Sequence, residues 1–235
     1  MSNYKNSTYL CVIPARGGSK GIPNKNIKDL CDHPLIHYSI KAAIDSSIFD
    51  RIVVSTDSFD IAKIAVACGA EVPFLRPDCL ATDKAMVEDV IVHLLKHVEK
   101  YDKRYDYICL LQPTSPLIEK ADIIKANQLL LDKKAVMIVS VGESPINVSW
   151  SQEIPEDLSM RNFSFNMCST NRQCFKGTYF LNGAIYMGKW DIFYNKKNYY
   201  EQETYAYKMP YDRSIDIDNE FDFKLAKFLL KERIE

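Results

Sequence analysis

Short apolar runs alternate with helix-period segments through the first two-thirds of this chain, and that alternation admits few folds. Parallel strands need long crossover connections, usually helical, so the pattern implies a mainly parallel sheet flanked by helices, an α/β fold. Residues 10–15 read as the first buried strand, 34–47 as a helix with Pro34 at its first position, 51–55 as a strand and 58–68 as a helix closed by Gly69. A short strand at 71–74, an amphipathic helix at 84–100, a strand at 105–111, a helix at 119–132 and a strand at 135–141 continue the series. The period is then lost over residues 142–176 and returns with strands at 183–187 and 205–209 and a final helix over 219–231. A chain of 235 residues can bury a sizeable core, and a single domain over 1–235 is expected. An irregular stretch as long as 142–176 is more often a functional excursion or interface arm than a loop. Its Ile146, Val148, Trp150, Met160, Phe163, Phe165 and Met167 are too many for a solvated linker, so it is expected to pack on a second subunit.

The first strand runs into residues 13–26, which place three glycines and three cations in one loop. Open α/β sheets bind ligands at the carboxyl ends of their strands, where this loop must lie. Gly17, Gly18 and Gly21 can take positive φ and let backbone N–H groups approach phosphate oxygens, while Arg16, Lys20 and Lys25 supply mobile positive charge. The composition suits a polyphosphate. A Walker A loop is excluded because no Gly-Lys pair occurs, and a dinucleotide loop because Ser19 takes the place of its second glycine. Residues 17–21 match the G-x-S-x-G nucleophile elbow, but that elbow follows several strands and only sixteen residues precede Gly17. A glycine turn carrying solvated cations is the plain alternative.

A net charge of −1 argues against a nonspecific nucleic-acid binder, which relies on a basic surface. No apolar run approaches the roughly 20 residues of a membrane span, and the short apolar stretch over 9–15 ends in the charged loop, unlike a secretory signal. No membrane association and a cytoplasmic location are expected. The seven cysteines contain no C-x-x-C pair and read as reduced thiols. His33/His37 and His93/His97 have i, i+4 spacing, but zinc needs a further ligand and no H-E-x-x-H pattern accompanies them.

Residues 214–218 form the second informative motif. Alternation in an extended segment puts Asp216 and Asp218 on one face and Ile215 and Ile217 on the other. A helix N-cap role would explain Asp218 but not Asp216. Paired carboxylates repel unless a cation lies between them, and Mg²⁺ takes one or two carboxylates together with substrate phosphates. A basic phosphate loop and an acidic metal pair in one α/β domain imply metal-assisted phosphoryl or nucleotidyl transfer.

With these two motifs, residues 52–57, 75–77, 80–83, 110–117, 172–173 and 182–186 complete eight fragments that resemble, in order, the CMP-sialic acid synthetase family of sugar-activating cytidylyltransferases. The resemblance spans nearly the whole chain and implies a Rossmann-like nucleotidyltransferase fold with a dimerisation arm near 142–176. It implies a CTP-binding loop of Ala15, Arg16, Gly17, Gly18, Ser19, Lys20 and Lys25, with Asn26 and Arg76 on the cytidine. Gln112 and Asn182 would contact the sugar, Arg172 would lie near its carboxylate, and Asp216 and Asp218 would hold Mg²⁺. Arg16, Lys20, Lys25 and Asp218 would carry the catalysis, in a homodimer whose arm reaches the neighbouring site. The implied reaction joins CTP to a nine-carbon nonulosonic acid and releases pyrophosphate. Many relatives specific for N-acetylneuraminate have arginine and proline where this chain has Phe180 and Leu181. An unpaired buried polar group costs about 1–3 kcal/mol, so loss of that cation favours a less hydroxylated sugar such as legionaminic acid. Synthetases for CMP-Kdo or CMP-pseudaminic acid are the rival enzymes, and a non-catalytic nucleotide-binding regulator the rival of another class.

Overall fold

The computed structural model describes residues 7–19, 21–146, 151–161, 177–196, 198–200 and 203–233. Its strands are β1 (Tyr9–Pro14), β2 (Asp29–Leu30), β3 (His33–Pro34), β4 (Arg51–Ser55), β5 (Tyr107–Leu111), β6 (Met137–Glu143), β7 (Tyr179–Lys189) and β8 (Thr204–Met209). β2 and β3 form a small hairpin, and the other six make one sheet in the order β4-β1-β5-β7-β6-β8. β1 runs parallel to β4 and β5, and β6 parallel to β8, while β7 is antiparallel to both its neighbours. The helices are α1 (Leu35–Ser46), α2 (Phe59–Ala67), α3 (Val87–Tyr101), α4 (Lys120–Asp132), α5 (Trp190–Tyr194) and α6 (Glu220–Glu232).

Alternation along the buried strands decides where each helix packs. Cys11 and Ile13 of β1 and Cys109 and Leu111 of β5 meet Ile36 and Ile40 of α1, Ile61 of α2 and Ile123 of α4 in one core. Leu10 and Val12, with Ile108 and Leu110, meet Ile91 and Leu95 of α3 and Phe193 of α5 on the opposite face. A third cluster sits beyond the strand ends, where Ile217 packs with Ile22, Leu30, Leu35 and Phe223. Ile217 is fully buried, worth about 1.5–3 kcal/mol for a side chain of that size. It pins the acidic segment to the body of the protein.

The expected strand at 71–74 is not formed. Isolated bridges from Val53 to Glu71 and from Thr56 to Leu75 take its place alongside β4, because Pro73 between them has no N–H to donate. α3 starts at Val87 rather than Lys84, after a turn in which Ala85 N–H donates to Thr82 O, and its first turn carries Glu88 and Asp89. Pro34 precedes α1 as its N-cap instead of opening it. Gly69 closes α2 as expected, with φ +97°. α5 was not foreseen, since five residues are too few to show a period. Of the irregular region, residues 147–150 and 162–176 lie outside the described residues, and 151–161 contain no helix or strand.

Candidate active site

The loop after β1 is fixed from two sides. Ala15 N–H donates to Ser55 O at 2.9 Å, and Gly17 N–H donates to Asp57 Oδ1 at 3.1 Å. The same Asp57 oxygen accepts from Arg76 Nη2 at 3.2 Å, and the buried Asn26 donates through Nδ2 to Arg16 O at 2.9 Å. None of the three loop glycines takes positive φ; among the described glycines only Gly69 and Gly183 do. Close approach accounts for two of them instead. A Cβ on Gly17 would lie 3.1 Å from Ser58 Cβ, and one on Gly21 only 2.3 Å from the Asp218 carbonyl oxygen, whereas one on Gly18 would meet nothing within 4 Å. The glycine loop and the acidic segment therefore touch at Gly21. Lys25 closes the same junction, its Nζ donating to Ile217 O at 2.5 Å and lying 3.6 Å from Asp218 Oδ1.

A cleft of about 420 Å³ opens at this junction. Arg16, Ser19, Gly21, Lys25, Asn26, Arg76, Gln112 and Asp218 line it, so most of the residues singled out for CTP gather around one space. Arg16 Nη1 pairs with Asp83 Oδ1 at 2.9 Å on the rim, and the buried Arg76 has no hydrogen-bond partner for Nε among the described residues. Burial lowers the Arg76 pKa from its usual value, with Asp57 acting against that shift and Arg16 adding to it. Lys20 and Arg172 lie outside the described residues.

A second cleft of about 470 Å³ shares Val87 and Gln112 with the first. Its walls include Met86, Leu110, Tyr186, Tyr199 and Tyr200, with Glu88 and Lys196 as the charged groups. Burial pushes the Tyr186 hydroxyl up to about 12, and the buried Tyr199 hydroxyl has no partner among the described residues. Gln112 thus stands where the two spaces join. Phe180 and Leu181 lie on the exposed first part of β7 and line neither cleft.

Asp216 and Asp218 leave Ile217 on opposite terms with solvent: the Asp218 side chain is 79% exposed, while Asp216 Oδ1 is buried without a hydrogen-bond partner among the described residues. Burial raises the Asp216 pKa, the Asp218 carboxylate adds to the rise, and the Thr114 hydroxyl and Lys25 oppose it. An orphaned carboxylate oxygen beside a second carboxylate fits a divalent cation. The N-cap alternative for Asp218 fails, because the Asn219 side chain caps α6 by accepting from the N–H groups of Phe221 and Asp222. Gly183, with φ +72°, brings the residues together: a Cβ there would lie 3.5 Å from Gln112 Nε2 and 3.6 Å from Asp216 Oδ2.

Asn182 is 1% exposed and lines neither cleft. Its amide bonds within the protein to Ser140, Ala184, Ser214 and Met209. Asp57, Asp83 and Thr114 belong to the site without having been singled out; the position of Asp57 just past the carboxyl end of β4 is the signal that could have found it. Tyr199 and Tyr200 carry no such signal, as they follow α5 in a stretch with no recognisable pattern.

Residues 10–234 match the profile of the family described as Cytidylyltransferase. The CMP-N,N'-diacetyllegionaminic acid synthase of Legionella pneumophila is 36% identical, with 94% of this chain and 96% of that protein covered. The N-acylneuraminate cytidylyltransferase of Escherichia coli is also 36% identical, over 92% of this chain and 51% of its own length. The pseudaminic acid cytidylyltransferase of Campylobacter jejuni is 31% identical over 94% of this chain and 96% of its own. A solved structure of CMP:2-keto-3-deoxy-manno-octonic acid synthetase complexed with CTP superposes with a TM-score of 0.70 over 97% of this chain and 100% of that one; at 17% identity the likeness is one of fold, that of the nucleotidyltransferases. The chain is thus a nucleotidyltransferase and belongs to the cytidylyltransferase family.

Proposed function

We propose that the protein joins CTP to a nine-carbon nonulosonic acid, releasing pyrophosphate, and that it favours legionaminic acid over N-acetylneuraminic acid. The contact of the glycine loop with the acidic segment at Gly21 and Lys25 carries this reading, because it puts phosphate-binding cations and the Asp218 carboxylate in one cleft, with Asp216 two residues away outside the lining. The cytidine takes the Asn26 and Arg76 end, where Arg76 Nε has a donor to spare. Arg16, Ser19, Lys20 and Lys25 hold the triphosphate, with Arg16 exchanging Asp83 for phosphate. The sugar takes the second cleft beyond Gln112, with Arg172 near its carboxylate. The anomeric oxygen bonds to the α-phosphorus while the bond from that phosphorus to the β-phosphate oxygen breaks, so pyrophosphate leaves and the hydroxyl proton passes to solvent. Orientation by Gln112 and charge neutralisation by Arg16, Lys20 and Lys25 lower the barrier. Asp216 and Asp218 would hold Mg²⁺, which when bound supplies further charge neutralisation on the phosphate oxygens.

Two relatives at the same identity are named for different sugars, so similarity to them does not choose between the substrates. Met86, Leu110 and the tyrosine rings give the second cleft apolar walls suited to a 6-deoxy sugar, while Glu88, Gln112, Lys196 and Asn198 supply its polar partners. A homodimer built on residues 142–176 and a cytoplasmic location complete the proposal. No described helix is long and apolar enough to cross a membrane. Pyrophosphate release should be measured with CTP and Mg²⁺ against legionaminic, N-acetylneuraminic, pseudaminic and Kdo sugars, with and without EDTA. Metal-dependent release with the highest kcat/KM for diacetyl-legionaminate is expected. A higher value for N-acetylneuraminate would overturn the sugar preference, and CTP binding without release on any sugar would leave a regulator.

A further inference from the structure

The register between β6 and β7 breaks at one place. Val139 pairs with Tyr186 and Val141 with Leu181, so residues 182–185 face the single residue Ser140. Such a bulge leaves ladder groups without strand partners. Here side chains take their place: Ser140 Oγ accepts from Ile185 N–H at 2.8 Å and donates to Asn182 Oδ1 at 2.6 Å, which also accepts from Ala184 N–H at 3.3 Å. Asn182 Nδ2 donates to Ser214 Oγ at 3.0 Å and to Met209 Sδ at 3.4 Å, and Ser214 Oγ in turn donates a hydrogen bond to Pro210 O at 2.9 Å. Both acceptor sites and both donors of the amide are engaged, and Ser140, Asn182 and Ser214 are all buried. No capacity is left for a substrate.

The chain of bonds passes through Ser214, two residues before Asp216, and a Cβ on the neighbouring Gly183 would lie 3.6 Å from Asp216 Oδ2. We infer that Asn182 is a positioning residue, which ties the β7 bulge to Ser214 and thereby holds the segment carrying Asp216 and Asp218 at the cleft. This rests on the proposal that those carboxylates bind the metal. It differs from the contact with the sugar that the resemblance implied for Asn182.

The test uses Asn182→Ala and the milder Ser214→Ala, which removes the partner without touching the bulge. Mn²⁺ binding in the presence of CTP is read by electron paramagnetic resonance, with the sugar KM read separately. Both variants should weaken Mn²⁺ binding by roughly 10- to 100-fold, the usual effect of removing a group that orients a metal ligand. The double variant should be no worse than the poorer single one, and the sugar KM should stay near wild type. Unaltered Mn²⁺ binding in Ser214→Ala, or an Asn182→Ala defect confined to the sugar KM, would overturn the inference. If the wild type shows no Mn²⁺ binding that Asp216→Asn abolishes, the metal reading fails and the inference with it. Should Asn182→Ala not fold, as judged by circular dichroism, Ser214→Ala alone decides.

Discussion

A single carbon atom separates two of the loop glycines in their demands. At Gly21 an added Cβ would sit 2.3 Å from the Asp218 carbonyl oxygen, a backbone atom that cannot rotate aside, so the loop or the acidic segment must shift. Displacements near 1 Å in a catalytic constellation lower rates by about 100-fold. Gly21→Ala should therefore lower kcat by that order, whereas Gly18→Ala, with open space around its Cβ, should stay near wild type. Steady-state pyrophosphate assays on the two variants give the contrast, and equal rates would separate the loop from the carboxylates. Asp216 makes the opposite trade. Its orphaned oxygen and its carboxylate neighbour destabilise the metal-free protein, at about 1–3 kcal/mol for an unpaired buried group. Without metal, Asp216→Asn should raise Tm, by about 2–4 °C per kcal/mol relieved in a chain of this size, while abolishing turnover. A melting temperature that falls instead would mean the carboxylate already has a partner.

Most elements were legible because their signals are local. β4 has the residues expected of it, α2 ends at the expected glycine, and α4 and α6 lie within a residue of their expected bounds, each with a capping box that the sequence shows as an acidic residue three places after its cap. What was not legible depends on partners distant in the chain. That β7 runs against its neighbours and bulges at residues 182–185 follows from its pairing with β5 and β6, which no period along one strand encodes. The same division holds at the site: the glycine loop and the acidic pair announce themselves, but the closed amide of Asn182 and the tyrosines of the second cleft do not. α3 carries a prediction of its own. His93 and His97 lie against the Phe74 ring, and burial is the leading cause that holds both below the usual histidine pKa, with Arg76 and His93 respectively the next contributors. The unfolded chain takes up protons near pH 6.5 that the folded protein still refuses. Stability is thus full above that pH and is lost as pH falls from there towards the lowered values. Thermal melts from pH 7.5 to 5.5 should show this fall, and the double change His93→Gln with His97→Gln should flatten it. An unchanged slope in that variant would assign the dependence to other groups, such as His37, which burial and His33 also lower.

At the scale of the molecule, residues as distant in sequence as Arg16, Arg76, Gln112 and Asp218 share one cleft because the sheet brings the ends of β1, β4 and β5 to one edge. The arm expected over 142–176 falls in the chain between β6 and β7, and in its described part Ile154, Leu158 and Met160 are exposed. Exposed apolar side chains on an irregular arm are what a second subunit would cover. If the arm carries Arg172 into the neighbouring site, then Lys25→Ala disables the site that contains it and Arg172→Ala the site opposite. Either variant alone should be inactive. Co-expressed, they should form mixed dimers in which both lesions fall on one site and the other is whole. Random pairing makes half the dimers mixed, each with one intact site of two, so activity should return to about a quarter of wild type in a two-fold symmetric dimer. Sedimentation of each variant checks that pairing survives. Dimers without recovered activity would mean that Arg172 serves its own subunit, and monomers that retain wild-type turnover would remove the arm from catalysis altogether.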